Sequence, residues 1–211
     1  MIRLFLDIET LPGEESLKEE LGEKEWGKTQ LNGDYGQILC IGYIKETPEG
    51  ITREVIKGDE SQMLRKLRKR GKGFIPNPVK RGEPEILRRF WEVAKDVDLF
   101  IGHNVLDFDL KFIMKRSIIH GVKPTKDISF ARYHNEPIYD TMREWERWSG
   151  YISLDKLAKI LGFESSKGEL DGSKVYDYYI EGRLEEIYAY NMADVELTRK
   201  IYNRMNFIEE A

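Results

Sequence analysis

Ile2-Arg3-Leu4-Phe5-Leu6-Asp7-Ile8-Glu9-Thr10 is a short, almost continuous apolar run with two carboxylates at its far end. An apolar run without alternation is what a central strand buried on both faces requires. Side chains two apart share a face of a strand, so Asp7 and Glu9 project together. On a buried strand such a pair repels and loses hydration, and it needs a cation to be tolerated. Oxygen ligands without His or Cys favour Mg²⁺ or Mn²⁺ over zinc. The plainer alternative is a strand running out into solvent with two ordinary surface acids.

Working outward, residues 37–45 (QILCIGYIK) and 51–57 (ITREVIK) are two β-rich runs separated by a Thr-Pro-Glu-Gly turn signal. With the first run they form a three-strand antiparallel unit. Residues 14–28 are Glu-rich and charged, a frayed helix or a surface loop. Helical patterns over 61–70 and 85–95 flank a Gly/Pro-rich stretch at 71–84, and 98–102 (DLFIG) is a short buried strand. Residues 109–119 carry Leu110, Ile113 and Met114 on one stripe and stop at Gly121, a helix with its C-terminal signal. A last short strand is expected at 127–130, then helices at about 139–148, 153–161, 173–181 and 183–206. With no repeat or linker, the expectation is one α/β domain over 1–211: a mixed sheet, antiparallel meander first, flanked by helices.

The 211 residues carry 34 Lys and Arg against 38 Asp and Glu, a net charge of −4. That balance argues against a dedicated nucleic-acid coat protein but not against an enzyme that touches nucleic acid locally. The single Cys40 excludes a disulfide framework, and His103, His120 and His134 lack zinc-ligand spacing. No apolar run approaches a membrane span, and no signal-peptide layout opens the sequence, so the expected location is cytoplasmic. Residues 65–81 hold eight Lys or Arg and no acid, a solvated face or an electrostatic guide for a single strand. Trp145, Trp148 and Tyr151 either stack bases or fill core.

Two further acidic places stand out. In Gly102-His103-Asn104-Val105-Leu106-Asp107-Phe108-Asp109 a buried strand ends in a polar loop and a carboxylate opens the next helix. Asp107 and Asp109 both qualify, one as a helix cap and one as a site residue, and spacing does not separate them. On the last helix Tyr190 and Asp194 share a face, and a buried Asp on an apolar stripe asks for a partner. Asp140, at a helix start, reads as an N-cap.

Taken together, these segments resemble the DEDD 3′–5′ exonucleases. Asp7-Ile8-Glu9-Thr10 is similar to the first exonuclease motif, Asn104 through Phe108-Asp109 to the second, and Tyr190 to Asp194 to the third in its Tyr-x-x-x-Asp form. The His form would need a histidine at 189, which is Ala189. The resemblance spans about residues 1–205 and is closest to the proofreading domain of family B DNA polymerases and stand-alone relatives of it. It implies a ribonuclease H-like α/β fold. It also implies Asp7, Glu9, Asp109 and Asp194 as ligands of two divalent ions, Mg²⁺ or Mn²⁺, choosing Asp109 over Asp107.

Tyr190 would position the attacking water, since an unperturbed phenol with a pKa of about 10 is a poor base. Thr10, Leu11, Asn104 and Phe108 would line the pocket of the 3′-terminal nucleotide, with packing the alternative for Leu11 and Phe108. The expected activity is metal-dependent 3′–5′ hydrolysis of single-stranded nucleic acid, DNA ahead of RNA. The alternatives are an exoribonuclease or oligonucleotide-degrading enzyme of the same chemistry, and a non-catalytic nucleic-acid-binding module. The length leaves no room for a polymerase, so proofreading would need a separate polymerase or repair protein, and no membrane partner is expected.

Overall fold

The computed structural model describes residues 1–58, 79–165, 168 and 170–209. The apolar run at the N-terminus forms β1 (Arg3–Leu11), followed by two short helices, α1 (Leu17–Leu21) and α2 (Glu23–Lys28). Next come β2 (Gln37–Thr47), β3 (Gly50–Lys57), α3 (Val79–Ala94), β4 (Leu99–Gly102), α4 (Asp109–His120) and β5 (Ile138–Asp140). Helices α5 (Thr141–Trp145), α6 (Leu154–Ile160), α7 (Val175–Ile180) and α8 (Leu184–Met205) complete the described chain.

The strands order as β3-β2-β1-β4-β5. The β1–β2 and β2–β3 pairs are antiparallel, while β1–β4 and β4–β5 are parallel. This mixed sheet, flanked by helices, is the expected ribonuclease H-like α/β arrangement. No helix among the described residues is long and apolar enough to cross a membrane.

β1 sits at the centre because both of its faces are apolar. Leu4, Leu6 and Ile8 pack with Ile86, Leu87, Phe90 and Trp91 of α3 and Leu110 and Ile113 of α4. Phe5 on the other face packs with Val195 and Tyr202 of α8, and Leu11 joins a cluster with Leu184 and Ile187. Each such side chain contributes about 1.5–3 kcal/mol by leaving water. The helical layer over Leu4, Leu6 and Ile8 is tied by buried Glu83. Its Oε1 accepts from Ile38 N at 2.8 Å and Arg116 Nε at 2.9 Å, and its Oε2 from Arg116 Nη2 at 2.7 Å. Gly121 closes α4 with φ 62°, a left-handed turn that glycine adopts without a Cβ penalty.

Three expectations need correction. Residues 127–130 take no part in the sheet; Ile128 is instead a buried plug in the layer against α3 and α4. The fifth strand is Ile138–Asp140, overlapping the start of the helix expected at about 139–148, because parallel pairing with Phe100, Ile101 and Gly102 outweighs the local pattern. The helix expected at 85–95 begins at Val79, so the end of the Gly/Pro stretch, Pro84 included, is helical. The expected helix at 61–70 and most of the basic stretch 65–81 lie outside the described residues.

Candidate active site

Asp7 and Glu9 lie on the face of β1 that also carries Phe5 and Leu11, the face that α8 covers. The ladder of β1 with β4 runs only from Arg3↔Leu99 to Phe5↔Ile101. Beyond it the chain of β4 turns away, and the second half of β1 is open along that flank. Asp109, opening α4, closes the gap: its Oδ1 accepts from Ile8 N at 3.0 Å. From the other side α8 brings Asp194. Asp7, Glu9 and Asp194 each offer an oxygen within 4.8 Å of the others, and Glu9, Asp194 and Asp109 are buried. A register shift in the β1–β2 ladder between Glu9 and Thr10 is a bulge at the site, a common device for re-aiming side chains.

The electrostatics are those of a crowded set of acids. Burial, then the charges of Asp109, Glu9 and Asp194, hold the Asp7 carboxyl well above the usual carboxylate range. Glu9 is raised in the same way by burial and by Asp194 and Asp109. Asp109 is pushed up to about 7, chiefly by burial. Buried like charges in contact do not coexist ionised without a counter-charge. An all-oxygen donor set of this kind fits hard divalent cations such as Mg²⁺ or Mn²⁺.

Tyr190, one turn before Asp194, lies on the same face of α8 beside its carboxylate. Burial and the neighbouring acids raise the phenol above its ordinary value, so it stays protonated. The other sequence-derived residues fall in two environments. Asn104 and Phe108 are partly exposed on the loop between β4 and α4, with Asn104 in a left-handed conformation at φ 62°. Thr10 is buried and donates its hydroxyl to Gln30 O at 2.7 Å, and Leu11 packs in the core beside α7 and α8.

Asp140 fills the N-cap role expected of it and also holds the Asn104 loop. It accepts from Met142 N and Arg143 N at 3.0 and 3.2 Å, and from Asn104 N and Leu106 N at 3.0 Å each. Asp107 and Asp109, alike by spacing, take different partners. Asp107 turns to Lys111 and Arg143, while Asp109 turns to β1.

Sequence reasoning missed Asn191. Fully buried between Tyr190 and Asp194, it donates from Nδ2 to Asp7 Oδ2 at 2.7 Å. The room for it is made by Gly42, the β2 partner of Asp7, where a Cβ would stand 2.3 Å from Asn191 Oδ1. Gly42→Ala is therefore expected to destabilise the protein by about 1–3 kcal/mol by driving Asn191 off Asp7. Calorimetry of the variant reads this as a lower Tm, and an unchanged Tm would refute the packing argument.

The ribonuclease H-like sheet thus gathers acids from β1, α4 and α8 at one place. Residues 55–211 match the family described as predicted 3′–5′ exonuclease related to the exonuclease domain of PolB, and the chain belongs to that family. The matched residues include Asn104, Asp109, Tyr190 and Asp194; Asp7 and Glu9 precede them and join them through the fold. No curated protein matches the chain.

Proposed function

We propose that the protein is a metal-dependent exonuclease that removes nucleotides from the 3′ end of single-stranded nucleic acid, DNA in preference to RNA. The observation that carries this reading is the meeting of Asp7, Glu9 and Asp194 within 4.8 Å, with Asp109 beside them, in a chain of this family. Asp7, Glu9, Asp109 and Asp194 would hold two divalent ions. Bound there, such ions supply Lewis-acid stabilisation of the phosphodiester and lower the pKa of the attacking water.

The protein's own groups do the rest. The Tyr190 hydroxyl keeps its proton at neutral pH and so orients water as a hydrogen-bonding group, not as a base. Asn191 fixes the rotamer of Asp7, and Ile8 N fixes that of Asp109, so the acids are arranged before substrate arrives. Asn104 and Phe108 would contact the terminal nucleotide, with buried Thr10 and Leu11 shaping the floor beneath it.

The test is incubation of 5′-labelled single-stranded DNA and RNA with Mg²⁺ or Mn²⁺. The expected result is a ladder shortening from the 3′ end, faster on DNA, that stops in EDTA. Intact DNA and RNA with both metals would refute the reading.

A further inference from the structure

Asp107 is the hub of a cationic surface beside the acids. Lys111 Nζ lies 2.6 Å from its Oδ1, Arg132 Nη2 3.3 Å from the same oxygen, and Arg143 Nη2 2.6 Å from Oδ2. Three cations on one carboxylate leave a local excess of positive charge. Arg132 is 62% and Lys111 42% exposed, against 21% for Arg143 and 19% for Asp107, so Arg132 and Lys111 are the groups that meet solvent and Arg143 backs them.

Next to Arg132, Tyr133 is 75% exposed. Its ring pairs with that of Trp148 at 5.3 Å between centroids, and Trp148 is seated against the core. Tyr133 and Trp148 both hold left-handed backbone, at φ 65° and 68°. Bulky residues rarely accept that conformation, and where it persists it tends to serve a function.

This surface is built into the loop that carries the site. Asp107 lies between Asn104 and Asp109, and Arg143 stands on the helix whose cap, Asp140, holds Asn104 N and Leu106 N. Exposed guanidinium and ammonium groups interleaved with an exposed ring suit phosphates and bases together, without sequence preference.

Resting on the nuclease reading, we propose that Lys111, Arg132, Arg143 and the Tyr133–Trp148 pair form a track for single-stranded nucleic acid. It grips the nucleotides on the 5′ side of the one being removed. The cations bind the backbone, and Tyr133, backed by Trp148, stacks a base.

The test is fluorescence anisotropy in EDTA, where strands stay intact, with labelled oligothymidylates of about 3 and about 10 nucleotides, spanning the usual site sizes. Wild-type protein is expected to bind the longer strand more tightly. Arg132→Glu combined with Tyr133→Ala is expected to lose about tenfold or more of that affinity. The slope of log affinity against log salt should become shallower by about 1. Lys111→Glu, on α4, is a separate arm with the same expected direction, should the double variant not fold.

Wild-type affinity in both arms would overturn the track, as would wild-type protein that binds no strand. Equal competition by polyglutamate would also overturn it, because carboxylates offer no base to stack. The two readings fail differently. Strands cut in Mg²⁺ while the variants bind like wild type remove the track alone. Strands bound through this surface yet never cut remove the nuclease reading alone.

Discussion

Asp7→Asn is expected to lose strand degradation while raising the Tm of the metal-free protein. Most substitutions at a buried, hydrogen-bonded position cost stability. Here the carboxylate is opposed by Asp109, Glu9 and Asp194, and only Asn191 favours its charge. An amide of the same shape retains an oxygen that can accept from Asn191 and sheds the repulsion. Replacing strained buried charge in this way can return about 1–3 kcal/mol. The same change removes a proposed ligand, and kcat should fall by about 10³-fold or more, the scale of losing a preorganised electrostatic group. A single-turnover assay in Mg²⁺ and calorimetry in EDTA read the two effects on one preparation. A variant that is inactive because it is less stable would contradict the electrostatic account.

The second large effect is on stability against pH. Asp7, Glu9 and Asp109 are all raised, Asp109 from 3.8 to about 7. A carboxyl raised in the fold contributes stability that is full below its unfolded value and is lost as pH rises through the folded one. For Asp109 that window runs from about 4 to about 7, and the loss is on the order of 2–4 kcal/mol.

Exposed acids with Lys partners, such as Asp34 and Asp96, are shifted the other way and lose stability only as pH falls below their ordinary range. Between pH ~5 and ~8 the acid cluster should therefore dominate, and the Tm in EDTA should fall with pH by about 5–15 °C. Added Mg²⁺ should reverse the trend, because the ion requires deprotonated ligands and stabilises the state that binds it. Parallel Tm–pH curves with and without Mg²⁺ would refute a cation site among these acids.

Much of the site is readable from the chain by local rules. Alternation along a strand pairs Asp7 with Glu9, and the helical repeat puts Tyr190 with Asp194. What local rules miss depends on elements far apart. Asp107 and Asp109 are equivalent by spacing; they part because one meets Arg132 and Arg143 and the other meets the free amide of Ile8. Asn191 lies between two recognised residues, yet its role depends on the missing side chain at Gly42 on a distant strand. β5 escapes for the same reason: three residues hold no period, and only pairing with β4 makes them a strand. The exposed Tyr151 and the core-seated Trp148 show that aromatic residues close in sequence can take opposite environments.

The bond from Asn191 to Asp7 also sets the order of events in the life of the chain. Its partners are 184 residues apart, on the first strand and the last helix. While the chain emerges from the ribosome, Asp7 and Glu9 come first and wait beside an uncovered sheet face. Asp194 and Tyr190 reach them only when α8 docks. Such distant closure is slow to form and cannot be anticipated by any fragment. The proposed cleavage thus waits on the final helix, and its onset would mark the completed fold.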